Sequence, residues 1–242
     1  MPAFPLQRPP AHRCAEPLEC LPDWARDFGR EAPLELEIGP GRGSFALDHA
    51  ALHPERNLLV VETRRSDCEL IRKRAAVRGL ENLLVLQGDA KLLLPRLFAK
   101  GSLSAVHVQF PDPWWKKRHH RRRLVDVELA AQLRALLVQG GQVDFRTDVP
   151  AYAREAVRTW EEGGFENLDG PGALWVSAPE VLSTRERRYA QTGQPVFRAR
   201  LVNPAAPASD AAPCGLPPAQ ARPTPPAPAE RTGRDWTDIR RK

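Results

Sequence analysis

Cysteine is scarce in this chain of 242 residues, and its four cysteines show no paired spacing. Cys14, Cys20, Cys68 and Cys214 form no CxxC motif and have no nearby histidine at zinc-ligand spacing. This argues against a disulfide framework, and we predict no metal site. A reducing compartment is the simpler interpretation.

Long apolar runs are also missing, since none approaches the roughly 20 residues that a membrane helix needs. The N-terminus contains several prolines and lacks the apolar core of a signal peptide. We therefore expect a cytoplasmic protein that does not act at a membrane.

Large apolar residues are few at both ends of the chain. Residues 1–17 are rich in proline, and residues 203–242 contain nine prolines and nine alanines. Such segments bury too little surface to offset the entropy lost on ordering. We predict a disordered segment over 1–17, one domain over 18–202 and a flexible tail over 203–242, with no internal repeat.

The central region alternates short apolar segments with helical patterns. Strands are predicted at 34–38, 58–61, 83–86, 105–110 and 141–146, with late candidates at 174–177 and 196–201. Helices are predicted at about 44–52, 64–78, 90–98, 124–138 and 150–162. This order predicts an α/β fold in which helices cover both faces of a mostly parallel, seven-stranded sheet.

Glycine or an acid follows each of the five strands. These residues are Gly39, Glu62, Asp89, Asp112 and Asp148. In such sheets ligands bind at the carboxyl ends of the strands, so we expect these residues to share one crevice.

The first three of these positions favour a nucleoside cofactor that carries a positive charge. Residues 39–43 read Gly-Pro-Gly-Arg-Gly, a turn that lets a ligand approach the backbone closely. Glu62 could accept ribose hydroxyls, Asp89 could accept an adenine amine, and Glu37 could face a cation. Each acid alone is also typical of a helix cap or a solvated surface. Together they suit S-adenosylmethionine better than a pyrophosphate cofactor, which favours a fuller glycine pattern.

The segment after the fourth strand is the most informative. Residues 110–114 read Phe-Pro-Asp-Pro-Trp, and six cations follow within residues 116–123. The prolines restrict Asp112, the tryptophans offer faces for base stacking, and the cations can meet phosphates. Alternatively this is a simple turn beside a solvated basic face. The combination favours a site for a nucleobase that belongs to a polyanion.

These features resemble the bacterial tRNA (guanine-N7)-methyltransferases, a family of class I S-adenosylmethionine-dependent enzymes with a Rossmann-like fold. The resemblance covers about residues 34–201. It rests on residues 36–39, 61–62, 88–90, 110–114, 116, 119–125, 147–148, 183–186 and 193. This chain departs from the family pattern at Ser183, where threonine is usual, at Arg185, where an aromatic residue is usual, and over residues 192–196.

The resemblance implies roles for specific residues. Asp112 would be catalytic, with S-adenosylmethionine as cofactor and tRNA as partner. Cofactor contacts would come from Glu37, Gly39, Gly41, Glu62, Asp89 and Asp112. Substrate contacts would come from Lys116, Asp148, Ser183, Thr184, Arg185 and Glu186. RNA contacts would come from Arg118, His119, His120, Arg121, Arg122 and Arg123.

The implied reaction methylates N7 of a guanine, in the variable loop if the resemblance holds. N7 has an in-plane lone pair and no hydrogen, so we expect positioning and charge placement rather than strong base catalysis. Asp112 or Asp148 could stabilise the purine cation and select guanine through its Watson–Crick donors. Trp114 could stack on a base or brace its loop. We favour a monomer, although the sequence does not determine the oligomeric state.

Three alternatives remain open at this point. The chain could be a class I methyltransferase for another RNA, a protein or a small molecule. It could be a non-catalytic RNA-binding module on the same fold. It could be a nicotinamide dehydrogenase, which the incomplete glycine pattern disfavours.

Overall fold

The sheet of this protein has seven strands, as the sequence predicts. A computed structural model describes residues 21–175 and 179–205. The strands are β1 Leu34–Ile38, β2 Asn57–Glu62, β3 Leu83–Gln87, β4 Leu103–Gln109, β5 Leu137–Thr147, β6 Glu166–Asn167 and β7 Phe197–Val202. Their order across the sheet is β3-β2-β1-β4-β5-β7-β6. The first five run parallel, and β7 is antiparallel to both of its neighbours.

The described residues form seven helices and one short 3-10 helix. They are α1 Trp24–Phe28, α2 Ser44–Leu52, α3 Arg65–Arg78, α4 Ala90–Leu97, α5 Val127–Leu136, α6 Pro150–Glu162 and α7 Thr184–Thr192, with the 3-10 helix at Lys117–Arg122. Within the described residues, no helix is long and apolar enough to cross a bilayer. Rossmann-like class I topology, with the parallel sheet covered by helices, is confirmed.

The parallel strands are buried on both faces, which explains their nearly continuous apolar sequence. Every residue of β1 and β2 is buried. Exceptions to the apolar pattern lie at the centre of the sheet. Glu37 on β1 pairs with His107 on β4, and His107 pairs with Asp144 on β5. Because paired residues on adjacent strands face the same side, three ionisable groups lie in a row inside the protein.

The strand order reverses between β1 and β4, and this creates the site. The chain passes from β1 outward to β2 and β3, then returns to the other side of β1 for β4. The connections leaving β1 and β4 therefore diverge and open a crevice at the carboxyl ends of these strands.

Some local predictions differ from the structure. The helix predicted at 124–138 begins at Val127, because Asp126 accepts a hydrogen bond from the Leu129 N–H at 2.9 Å and caps it there. It ends at Leu136, where β5 begins. The sequence patterns did not predict α1, α7, β6 or the 3-10 helix. Of the strand candidate at 174–177, Trp175 forms an isolated bridge with Arg198, and residues 176–177 lie outside the described residues.

The domain also extends further than predicted at its C-terminal end. Asn203, assigned to the tail, is buried, and its amide donates to the Leu137 carbonyl at 3.0 Å. The Asn203 backbone N–H donates to Gly141 at 2.8 Å. The predicted segment 1–17 and residues 206–242 of the predicted tail lie outside the described residues.

Candidate functional site

An open cleft of about 950 Å³ lies at the carboxyl ends of the parallel strands. Its lining includes every residue that the sequence assigned to cofactor contact: Glu37, Gly39, Gly41, Glu62, Asp89 and Asp112. These residues come from four different loops or strand ends, so the sheet topology alone brings them together. Of the five strand-end residues expected to share one crevice, Gly39, Glu62, Asp89 and Asp112 do so, whereas Asp148 lies outside the lining.

The glycine turn after β1 forms one wall of the cleft. Gly39, Gly41 and Gly43 have φ values of 70°, 55° and 74°, a region that favours glycine. A Cβ atom at Gly39 or Gly41 would meet no atom within 4 Å, whereas one at Gly43 would lie 2.5 Å from Ile71 Cγ1. Gly43 thus serves the packing of the turn on α3, while Gly39 and Gly41 leave space for a ligand near the backbone.

Glu62 at the end of β2 fixes the glycine turn. Its Oε2 accepts a hydrogen bond from the Gly41 N–H at 3.0 Å. Its Oε1 accepts from the Arg64 N–H at 2.9 Å and from Thr63 Oγ1 at 3.0 Å. The carboxylate therefore has a fixed orientation at the cleft wall.

Asp89 caps the helix that follows it and also lines the cleft. Its Oδ1 accepts a hydrogen bond from the Lys91 N–H at 2.9 Å and so caps α4. The same residue is exposed and lines the cleft. A capping carboxylate can still offer its other oxygen to a ligand.

Glu37 is the most unusual acid of the cleft. It is 1% exposed, and among the described residues its Oε2 has no hydrogen-bond partner. Burial raises its pKa to about 8, although the nearby His107 and Arg146 oppose this shift. The negative charges of Asp144 and Glu62 raise the pKa further. A buried carboxyl group without a partner at the wall of a cleft fits a cationic ligand.

The loop that carries Asp112 has a strained and well-supported backbone. Phe110 and Trp114 have φ values of 50° and 42°, which residues other than glycine rarely adopt. The ring of His119 meets Trp114 edge-on with centroids 5.7 Å apart, and the Arg122 guanidinium lies 5.2 Å from the Trp114 centroid. Trp114 thus braces the loop, and Asp112 is presented exposed in the cleft.

Arg123, predicted to contact RNA, supports the same loop. The side chain is buried, its Nε donates to the Pro113 carbonyl at 2.8 Å and its Nη1 pairs with Glu155 at 2.5 Å. A guanidinium committed to these partners is not available to a phosphate. The role of Arg123 in this structure is to hold the loop in place.

The rest of the basic run lies beside the cleft. Lys116, Arg118 and Arg122 are exposed, His119 is half-buried, and only Arg122 of these four lines the cleft. The side chains of Lys117, His120 and Arg121 lie outside the described part of the structure. The RNA roles predicted for His120 and Arg121 therefore remain predictions without a structural account.

Ser183, Thr184 and Arg185 close the cleft from the side of α7. The Thr184 N–H donates to Ser44 Oγ at 2.9 Å, which connects α7 to the first residue of α2. The Arg185 guanidinium lies 5.1 Å from the centroid of Phe110. This segment, distant in sequence, is therefore positioned against both the glycine turn and the Asp112 loop.

Glu186 has a structural position instead of the predicted substrate contact. It is 2% exposed and does not line the cleft. Its Oε2 accepts from Arg146 at 3.0 Å and from the Ser183 N–H at 2.8 Å, and its Oε1 pairs with Arg198 at 2.9 Å. Ser183 and Glu186 form a capping box, so the acid fixes the start of α7.

Asp148 and Lys116 also lie outside the cleft lining. Asp148 Oδ2 accepts a hydrogen bond from the Tyr189 hydroxyl at 2.5 Å, and its Oδ1 lies 3.8 Å from Arg185 Nη1. Asp148 is thus placed behind Arg185. A substrate role for either residue requires contact beyond the cleft itself.

A basic rim on the α3 side of the cleft was not predicted from the sequence. Arg42, Arg64 and Arg74 line the cleft there, and Arg74 Nη1 donates to the Arg42 carbonyl at 3.2 Å. The basic helical pattern after Glu62 was the available signal, but a helix pattern does not show which way its side chains point.

A second buried cluster, also missed, lies behind the cleft. Glu35 Oε2 accepts from His49 Nε2 at 2.6 Å and from His107 Nε2 at 2.9 Å, while Oε1 pairs with Arg56 at 2.5 Å. Glu35, His49 and His107 have the composition of a metal site. The two short contacts to one carboxylate oxygen and the guanidinium on the other are instead typical of a hydrogen-bonded charge network. Burial lowers the pKa of His107, but two nearby carboxylates outweigh it and raise the pKa to about 9. Asp144 Oδ2 lies 3.7 Å from Nδ1, and Glu35 Oε2 accepts the hydrogen bond from Nε2.

The comparisons with known proteins agree with this arrangement. A family model described as "Putative methyltransferase" matches residues 31–199. The tRNA (guanine-N(7)-)-methyltransferase of Anaeromyxobacter dehalogenans is 58% identical over 186 residues, which are 76% of this chain and 92% of that protein. The chain belongs to the tRNA (guanine-N7)-methyltransferase family. The member from Myxococcus xanthus is 45% identical over 77% of this chain and 91% of its own length.

Solved structures outside this family share the fold. The 16S rRNA methyltransferase KamB has a TM-score of 0.57 at 19% identity, with 77% of this chain and 96% of that chain covered. The 16S rRNA (adenine(1408)-N(1))-methyltransferase of Catenulisporales acidiphilia has a TM-score of 0.54 at 18% identity, with coverages of 78% and 92%. At this level of identity they establish the methyltransferase fold and nothing finer. The family resemblance predicted from the sequence is confirmed.

Proposed function

We propose that this protein transfers a methyl group from S-adenosylmethionine to N7 of a guanine in tRNA. The observation that carries the proposal is the convergence of Glu37, Glu62, Asp89 and Asp112 in one cleft beside the exposed side chains of Arg118 and Arg122. The names of the relatives at 58% and 45% identity support the same reaction. The variable loop as target, the cytoplasm as location and a monomeric state remain predictions.

The residues of the cleft fit this cofactor. When bound, S-adenosylmethionine supplies a methyl group on a positively charged sulfonium. Glu37 offers a buried carboxyl oxygen that no described residue satisfies, and Gly39 and Gly41 leave open space at the backbone. Glu62 and Asp89 provide fixed carboxylates at the ends of β2 and β3. The acids would hold the charged and hydroxyl groups of the cofactor.

Asp112 is placed to bind the guanine that receives the methyl group. Its backbone is held by flanking prolines, by the strained residues Phe110 and Trp114 and by the hydrogen bond from Arg123 to Pro113. A carboxylate held this way can accept from the Watson–Crick donors of guanine and oppose the positive charge that develops on the purine. Adenine lacks this pair of donors, so the same contact provides selectivity.

The arginines around the cleft fit the polyanionic substrate rather than the cofactor. S-adenosylmethionine has no phosphate and is itself cationic. Arg42, Arg64, Arg122 and Arg185 all line the cleft, and Arg118 is exposed beside it. These groups can contact phosphates on both sides of a base that enters the cleft, and their contribution should fall as salt rises.

The deciding experiment uses the full chain, an unmodified tRNA transcript and S-adenosylmethionine with a labelled methyl group. We expect 7-methylguanosine in the digested product, abolished transfer with Asp112→Ala and largely retained tRNA binding by that variant. Normal turnover by Asp112→Ala would refute the assignment. Label in another nucleoside or in protein would support a different target, and binding of RNA and cofactor without transfer would support the non-catalytic alternative. Calorimetry with S-adenosylmethionine and with NAD tests the dehydrogenase alternative directly.

A further inference from the structure

The two adjacent tryptophans of the Asp112 loop have opposite environments. Trp114 is half-buried and packs against His119 and Arg122. Trp115 is 71% exposed, and it is the only aromatic residue of the exposed class in the described part of the chain. The sequence does not distinguish the two indoles. Only the packing shows that Trp114 supports the loop and that Trp115 is exposed.

The residues that the structure describes provide no polar or aromatic partner for Trp115. Within the described residues, its indole takes part in no ring contact, cation–π contact or hydrogen bond, and it does not line the cleft. A large apolar ring left in water is unfavourable unless something covers it. Removing the ring should therefore leave the fold intact, because most of its surface is exposed.

The surroundings of Trp115 indicate what covers it. Asp112, which lines the cleft, lies three residues before it. The exposed Lys116 follows directly, and the exposed Arg118 and Arg122 lie on the 3-10 helix. A flat apolar surface among cations matches a ligand with flat faces and negative charge. Single-stranded nucleic acid has both, and its bases stack on exposed aromatic rings.

We propose that Trp115 is a stacking subsite for an unpaired RNA base next to the one that enters the cleft. The inference rests on the proposed function and deepens it. A base that leaves its stack to reach Asp112 deprives its neighbour of a stacking surface, and an indole at the cleft edge replaces that surface. The cations that flank Trp115 hold the phosphates on either side of the stacked base.

The test compares RNA binding by Trp115→Ala, Trp115→Phe and a matched control, Val127→Ala, which removes a 65% exposed apolar side chain from the start of α5. Stacking contributes enough per base that Trp115→Ala should weaken tRNA binding by about 5- to 100-fold. Trp115→Phe should retain most of the affinity, and Val127→Ala should retain all of it. Thermal melting and S-adenosylmethionine affinity should be unchanged in all three. Intrinsic fluorescence should be quenched by tRNA more strongly in the unaltered chain than in Trp115→Phe.

Unchanged tRNA affinity in Trp115→Ala would overturn the proposal. Equal losses in Trp115→Ala and Trp115→Phe would also overturn it, because a phenyl ring still stacks. A change in oligomeric state by sedimentation, with unchanged RNA affinity, would assign the ring to self-association instead. The same series with a short single-stranded RNA separates this inference from the proposed function: Trp115-dependent binding without tRNA methylation supports the subsite and refutes only the function.

Discussion

Glu62 Oε2 accepts a hydrogen bond from the Gly41 N–H at 3.0 Å, so the acid that ends β2 holds the glycine turn that follows β1. The two residues are 21 positions apart and meet because β1 and β2 are paired in parallel. One contact thus connects the two elements that the proposed function assigns to the cofactor.

Replacing Glu62 should weaken cofactor binding through both the lost carboxylate and the released turn. Hydrogen bonds to charged groups contribute about 1.5–3 kcal/mol, so Glu62→Ala should reduce S-adenosylmethionine affinity by roughly 10- to 100-fold, and Glu62→Gln by less. Calorimetric titration measures this. Glu69→Gln, on the exposed side of α3, serves as the control, and equal affinities across the series would exclude the proposed contact.

Cofactor binding should release a proton from Glu37 at neutral pH. Burial raises the pKa of Glu37 to about 8, so the free protein holds this carboxyl mostly neutral at pH 7. A bound cation favours the carboxylate and lowers the pKa, so the proton leaves. The groups that face Glu37 are His107, Arg146, Asp144 and Glu62. Titrations at pH 7 in buffers with different ionisation enthalpies should give heats that depend on the buffer.

The matched variant is Glu37→Gln, which keeps the shape and removes the titration. Its binding heat should be nearly independent of the buffer, with weaker affinity. A buffer-independent heat for the unaltered chain would show that Glu37 does not exchange a proton on binding.

The stability of the free protein should fall as pH rises from about 6.5 to 9. The pKa of His107 is raised to about 9 in the folded state, from an ordinary value of 6.5. The folded state therefore binds more protons than the unfolded state in this window, and the stabilisation is present below 6.5 and lost as pH passes 9. Glu37, with its raised pKa, adds a loss of the same sign between about 4.5 and 8. Thermal melting across pH measures this. Between about pH 8 and 9, where the contribution of Glu37 is already lost, the parent should still lose stability while His107→Gln should not, which assigns that part of the slope to His107.

Arg122 and Arg123, neighbours in sequence, should give different phenotypes. Arg122 is exposed at the cleft, so Arg122→Ala should weaken tRNA binding and reduce the slope of log affinity against log salt by about 0.9 if it contacts one phosphate. Arg123 is buried on Pro113 and Glu155, so Arg123→Ala should lower the melting temperature and the turnover rate with little change in the salt slope. A reduced salt slope with an unchanged melting temperature in Arg123→Ala would indicate that Arg123 contacts RNA.

Substitutions at Gly43 and Gly79 distinguish the cost of backbone strain from the cost of a steric clash. Both have positive φ, 74° and 65°, but only a Cβ at Gly43 would collide, at 2.5 Å from Ile71 Cγ1. Gly79→Ala should cost about 1 kcal/mol from backbone strain alone, and Gly43→Ala should cost clearly more because Ile71 is completely buried. Chemical unfolding of the two variants measures the difference, and equal losses would show that Ile71 adjusts freely.

Much of the cofactor wall could be predicted because it depends on local pattern. Each apolar strand is followed directly in sequence by a glycine turn or an acid. Parallel strands place their carboxyl ends at one edge of the sheet. Glu35 and His107 were harder to predict. A charged residue inside a buried strand shows no sign in the sequence of the partner that satisfies it, and that partner, His49, lies on a helix.

The sequence by itself determined the fold class, the family and the set of acids that meet in the cleft, because these follow from strand order and short motifs. The tertiary structure alone decided which of two like residues faces inward: Arg123 supports the loop while Arg122 is exposed, Trp114 braces while Trp115 is free, and Glu186 lies in an ion-pair network instead of the cleft. The physical reason is that burial is set by contacts between segments that are distant in sequence. Here Glu155 of α6 pairs with Arg123 of the basic run, and Arg146 of β5 and Arg198 of β7 pair with Glu186 of α7.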